Sequence, residues 1–224
     1  MSAHEPKSGE SDAPCPVHGA PCPFEEELMR LREEVQALST QVRTDELTGL
    51  YNYRHFLHSI DLEMERGRRS GHPVSLIILD LDHFKEFNDQ YGHEIGNLAL
   101  KHVARILLTT LRRLDIPCRY GGEELAIILP NTPLHAAISL AERLRLSIEQ
   151  SPLVVADEPV RITASFGVDW LRPNEKGDLT QFVARADAWL YKAKEAGRNI
   201  VRHPQDVSET HVSKEERDFL LGDF

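Results

Sequence analysis

Two glycines set against an apolar run constrain this chain more than any other feature. The stretch CRYGGEELAIILP, Cys118 to Pro130, places Gly121 and Gly122 directly before Glu123 and Glu124, and Leu125 to Leu129 follow without a polar residue. Glycine and glutamate are poor strand formers, whereas the apolar run beside them suits buried β structure. The stretch therefore predicts a strand pair that turns at the glycines. Glycine pairs at such a place let a backbone turn tightly or let a large group approach it. A second short apolar run, VSLIILDLD from Val74 to Asp82, predicts a fully buried strand that ends in acids.

The remaining segments fill in an α/β pattern. EFNDQYGHEIGNLALKHVARILLTTLRR carries helical periodicity through Leu98, Val103, Ile106 and Leu107. LHAAISLAERLRLSIEQ predicts an amphipathic helix, VRITASFGVDW a strand, and LTQFVARADAWLYKAKEAG a helix closed by Gly197. Strands alternate with helices, and the hairpin makes the sheet mixed rather than wholly parallel. Residues 45–203 are expected to form the single globular domain. Ahead of it, residues 24–44 place Leu28, Leu31, Val35, Leu38 and Val42 at alternating spacings of three and four, an a/d seam of the coiled-coil kind. Parallel dimerisation through this stalk is the expectation. Docking of a regulatory protein on it, or packing against its own domain, stays open. Residues 1–23 read as a mobile tail rich in Pro, Gly and Ser, and residues 204–224 as a charged tail without a readable role.

Charge and composition exclude several classes. A net charge of −10 argues against wrapping duplex DNA, since phosphate neutralisation needs a basic surface. No apolar run approaches the roughly 20 residues of a membrane span, and the polar start MSAHEPKSGESDAP lacks a signal peptide's apolar core. The expectation is a cytoplasmic protein. Three cysteines form no disulfide framework. Cys15, His18 and Cys22, with His4 nearby, offer three or four zinc ligands, although proline and glycine between them suit plain disorder equally.

Asp80 ends the first strand and Glu123 sits at the hairpin, so a sheet edge could bring both acids together. Unpaired, they would repel and raise one pKa. A hard divalent cation resolves that conflict, because Mg²⁺ accepts one or two carboxylates and leaves its other positions to phosphate oxygens. The turn DHFKEFND can present backbone N–H groups to an anion at the following helix start, with Lys85 close by. An EF-hand fails, since Phe84 and Lys85 stand where an oxygen donor and a glycine are needed. Acids that merely cap a helix and a turn are the alternative.

RYGGEEL, together with DELTGLYNYRHF, DLDHFKEFNDQYGHEIGN and YKAKEAGRN, resembles the GGDEF domain of diguanylate cyclases, and the resemblance spans about Thr44 to Arg202. It implies a five-stranded central sheet wrapped by helices, related to adenylyl cyclase and polymerase palm domains. It further implies a homodimer in which two GTP molecules on facing chains condense to cyclic di-GMP with loss of two pyrophosphates. By similarity, Asp80, Glu123 and the Leu81 carbonyl hold Mg²⁺, for which Mn²⁺ could substitute, and Glu124 assists as base or metal organiser. Backbone groups at His83, Phe84 and Lys85 cradle phosphates, Lys194 and Arg198 neutralise them, and Asn88 contacts the base. Gly121 and Gly122 leave room for the nucleotide. Arg112 and Asp115 match the family's RxxD inhibitory site for cyclic di-GMP, with Arg143 joining from the next helix. Biofilm control is the cellular role the resemblance suggests.

Three departures matter. Asn97 stands where the family has an aspartate that accepts from guanine, and an amide offers one acceptor and one donor instead of two acceptors. That leaves relaxed base selectivity, or a degenerate domain that binds nucleotide as a sensor or scaffold, as alternatives to an active cyclase. Leu125 replaces the usual phenylalanine, and Tyr53 an arginine that Arg54 follows.

Overall fold

The structure, a computed structural model, describes residues 27–32, 43–173, 175 and 177–205. The chain divides into two units, Met1–Arg43 and Thr44–Phe224. In the first, residues 27–32 are helical, with Leu28, Met29 and Leu31 exposed and an Arg30–Glu27 ion pair at 3.0 Å. Val35, Leu38 and Val42 of the stalk seam lie outside the described residues. So do the cysteine–histidine cluster and the tail beyond Gln205.

In the second unit, helix α1 (Tyr53–Ser70) begins where the Asn52 side chain accepts from the His55 N–H at 3.0 Å, and it ends at Gly71 in the left-handed region. Strand β1 (Val74–Leu81) is buried along its whole length. Helices α2 (Phe84–Tyr91) and α3 (His93–Thr110) follow. The hairpin consists of β2 (Ile116–Arg119) and β3 (Glu124–Pro130). Helix α4 (Leu134–Glu149), the small pair β4 (Leu153–Val155) and β5 (Glu158–Val160), strand β6 (Ala164–Leu171), helix α5 (Leu179–Glu195) and β7 (Val201–Arg202) complete the unit.

The main sheet has the order β2-β3-β1-β6-β7. β1 runs antiparallel to both β3 and β6, and only β6–β7 is parallel. The expected five-stranded mixed sheet is therefore present. Period-two alternation sorts β1 onto two cores. Ile77, Leu79 and Leu81 pack with Leu125 and Ile127 beneath α3 and α4, whereas Leu76 and Ile78 pack with Ala126 and Ile128 beneath α1 and α5.

The structure refines the expected pattern in two places. The periodic stretch from Glu86 to Arg113 forms two helices, with Leu98, Val103, Ile106 and Leu107 all in α3, because Gly92 adopts φ 85 and separates α2 from α3. Four elements, α1, β4, β5 and β7, were not anticipated. Asn52 and Gly71 were cap signals for α1, while three-residue and two-residue strands carry too little periodicity to register.

Candidate active site

Asp80 is the last inward-facing residue of β1 on the α1/α5 side and is only 7% exposed. The antiparallel register pairs it with Glu124 on one side and Ser165 on the other. Burial raises its pKa above the ordinary aspartate range, and the charges of Glu123 and Glu124 push the same way, while the Lys194 ammonium opposes them. Strand end and hairpin thus do bring the acids to one edge. Lys194, from the last turn of α5, bonds Asp80 Oδ2 through Nζ at 2.9 Å.

The donor set suits a hard divalent cation. Among the described residues, no three His, Cys, Asp or Glu side chains cluster at metal-ligand spacing. Carboxylates are hard oxygen donors of the kind Mg²⁺ accepts one or two at a time, its remaining positions going to carbonyl, water or phosphate oxygens.

The hairpin glycines work differently from a turn that needs left-handed backbone, since neither has a positive φ. A Cβ on Gly121 would lie 2.7 Å from Glu124 Oε2, so its absence makes room for that carboxylate, and a Cβ on Gly122 would meet nothing within 4 Å. At the other lip, His83 is left-handed (φ 56) and caps α2 without a side-chain cap bond, while its ring pairs with Glu86. Phe84 is half-buried, and Lys85 is exposed at this helix start. Asn88 Oδ1 is buried without a hydrogen-bond partner, an unusual state for a side-chain acceptor. It lies over Gly96, where a Cβ would come within 1.8 Å of it. Asn97 is exposed on the neighbouring turn of α3.

Arg198, exposed, has φ 64 between Gly197 (φ 109) and Asn199 (φ 46). Asp82, outside the motif roles assigned above, holds this strained turn. Asp82 Oδ2 accepts from Asn199 N at 3.0 Å and from Thr163 Oγ1 at 2.8 Å, and Oδ1 accepts from Ser165 Oγ at 2.6 Å. The Asn199 amide in turn bonds Glu149 and Arg145 of α4. Asp45 and Arg119 were likewise passed over. The Arg119 guanidinium reaches Asp45 and the carbonyls of both hairpin glycines.

A separate cavity of about 290 Å³ brings together Arg112, Asp115 and Arg143 with Thr132, His135 and Ser139. The RxxD segment is a closed turn in which Arg112 N donates to Asp115 Oδ2 at 2.8 Å and Asp115 N to the Arg112 carbonyl at 3.1 Å. Burial raises the Asp115 pKa, against the pull of the Arg112 N–H and of the Arg112 and Arg143 charges.

A family model described as the GGDEF domain of diguanylate cyclases matches residues 42–200. The chain belongs to this family. The GGDEF chain is 42% identical over 161 residues to the response regulator PleD of Caulobacter vibrioides, covering 70% of itself but 35% of that protein. It thus spans about a third of the length of that relative. Its fold matches the coiled coil and GGDEF domain of DgcB from Caulobacter crescentus, solved with c-di-GMP, at TM-score 0.69 and 31% identity over 80% of this chain and 94% of that one. It equally matches the diguanylate cyclase SiaD of Pseudomonas aeruginosa, solved with its activator SiaC, at TM-score 0.69 and 37% identity over 80% and 68%. No helix among the described residues of the GGDEF chain is long and apolar enough to cross a membrane.

Proposed function

We propose that this GGDEF chain is a diguanylate cyclase that condenses two GTP into cyclic di-GMP and two pyrophosphates across a homodimer. Asp80 carries the reading: a nearly buried carboxylate at a strand end, opposite Glu124 in register and within the field of Glu123. Carboxylates gathered at one edge suit a cation-bridged triphosphate. Asp80, Glu123 and the Leu81 carbonyl would hold Mg²⁺ or Mn²⁺. When bound, the ion neutralises charge on the α-phosphate and eases ionisation of the attacking hydroxyl.

The chain's own groups do the rest. Each 3′-oxygen forms a bond to the α-phosphorus of the facing nucleotide as the bond to the β-phosphate oxygen breaks, and the hydroxyl proton leaves to Glu124 or water. Loading the site exchanges the Lys194–Asp80 pair for a Lys194–phosphate pair, and Arg198 joins it on the β- and γ-phosphates. The backbone at His83, Phe84 and Lys85 receives the same phosphates at the start of α2. The unpartnered Asn88 Oδ1 offers an acceptor to the base, beside Asn97. Cyclic di-GMP inhibits by entering the Arg112–Asp115–Arg143 cavity, where planar guanidinium forks suit phosphate or a guanine edge. Residues 24–44 supply dimerisation through a coiled coil, as the DgcB neighbour carries one, and a seat for a regulatory protein, as SiaD binds an activator. A site made from two chains depends on the local concentration that such a stalk raises.

The exposed amide of Asn97 favours one second reading, a domain that binds nucleotide without turnover. Incubation with Mg²⁺ and either GTP or ATP, followed by chromatography, separates the two. Cyclic di-GMP from GTP is expected. Asp80→Ala and Glu123→Ala should each lower its rate at least about a hundredfold, equivalent to losing roughly 3 kcal/mol of charge stabilisation. A wild-type protein that binds GTP and forms no product would establish the second reading.

A further inference from the structure

Arg119 closes β2 and is half-buried beside the hairpin tip. Its Nε donates to the Gly121 carbonyl at 3.2 Å and the Gly122 carbonyl at 3.1 Å, and Nη2 donates to the Gly122 carbonyl at 2.8 Å. Its Nη1 donates to both carboxylate oxygens of Asp45, at 3.2 and 3.1 Å. Asp45 is itself fixed, accepting from Thr48 N at 2.9 Å and Thr48 Oγ1 at 2.7 Å. The turn that carries it is bonded to β2, from Tyr51 N to the Pro117 carbonyl at 3.0 Å and from Arg119 N to the Tyr51 carbonyl at 2.7 Å.

These bonds decide where the hairpin's N–H groups point. In a trans peptide the N–H of one residue lies opposite the carbonyl of the residue before it. With the Gly121 and Gly122 carbonyls drawn to Arg119, the Gly122 and Glu123 N–H groups face away from it. No acceptor among the described residues takes either of them. By register, Arg119 opposes Leu125, whereas Glu124 opposes Asp80. Strand alternation thus puts Arg119 and the Asp80–Glu124 pair on opposite faces. The two N–H groups are turned toward the acidic face.

We propose that Arg119, held by Asp45, is a positioning residue that aims the Gly122 and Glu123 N–H groups at the α-phosphate of the bound nucleotide. This rests on the cyclase reading, which places a triphosphate across that face. Two preset donors then meet charge that develops on the α-phosphate oxygens as the 3′-oxygen attacks. A glycine pair serves here because no side chain stands between the peptide N–H groups and the phosphate.

Arg119→Lys and Asp45→Asn test it in the full chain, with two readouts. Lysine keeps the charge but not the planar fork, so it cannot hold Asp45 and two carbonyls together. Hydrogen exchange is read first, without substrate, at the Tyr120 and Gly121 amides, which bond the Glu124 carbonyl at 2.9 and 3.0 Å. Both variants should keep a cooperative melting transition and exchange these amides about tenfold faster; wild-type exchange in Arg119→Lys overturns the clamp. The second readout is the rate of cyclic di-GMP formation against GTP concentration. In Arg119→Lys kcat should fall roughly a hundredfold, the loss typical of an oxyanion-type donor, with KM within about threefold. A rise in KM at unchanged kcat would overturn the aimed-donor role. If the wild-type protein makes no cyclic di-GMP, the cyclase reading falls, while the exchange result still decides the clamp.

Discussion

Asp45 carries a pH signature of its own. Burial raises its pKa, but the Thr48 hydroxyl and N–H and the Arg119 charge together outweigh that and hold it below the ordinary aspartate value of 3.8. A carboxyl with a depressed folded-state pKa stabilises the fold above its unfolded value and loses that contribution as pH falls through the folded value. In urea titrations the wild-type protein should therefore lose stability as the pH drops below about 3.8, and Asp45→Asn should show a shallower acid limb. Asn97 is the other informative residue. A single letter made it legible as a departure from the family, and its exposure on α3 leaves it free to reach a ligand. Restoring the carboxylate with Asn97→Asp should tighten GTP binding by about ten- to a hundredfold, the worth of one unpaired buried donor (roughly 1–3 kcal/mol). ATP binding should weaken in the same titration. Asp45 had no such signal, because its partner lies 74 residues away.

Elements meet through two glycines that period and propensity do not reveal. Gly167 in β6 lies against α5 so closely that a Cβ would stand 2.2 Å from the Ala186 carbonyl oxygen and 2.3 Å from the Leu190 nitrogen. Both are backbone atoms and cannot swing away. Gly167→Ala should cost about 3 kcal/mol, the upper end of ordinary overpacking, measured as a lower urea midpoint at unchanged slope. Gly96 performs the same service between α2 and α3, where it admits the Asn88 amide. The division of those helices depended on Gly92, a residue that a periodic pattern absorbs as readily as it breaks. The long strands that were legible, β1, β3 and β6, are each buried over nearly their whole length.

At the scale of the folded unit, one sheet borders two candidate sites. Its acidic edge carries Asp80, and the RxxD turn that precedes β2 lines a cavity on the α4 side. Product bound there is expected to act at a distance, and Arg112→Ala should abolish the slowing of GTP turnover by added cyclic di-GMP while leaving the initial rate within about twofold. Progress curves with and without added product measure it. The sequence by itself determined the family and the mixed sheet, because burial on both faces leaves continuous apolar runs at β1 and β3 and because the motif residues are contiguous in the chain. Tertiary structure alone decided that Lys194 neutralises Asp80, that Asn199 hangs from Asp82, and that Arg119 ties Asp45 to the hairpin glycines. Those contacts join residues from 74 to 117 positions apart wherever a side chain crosses between elements. Packing selects such partners, and local pattern holds no record of a distant one.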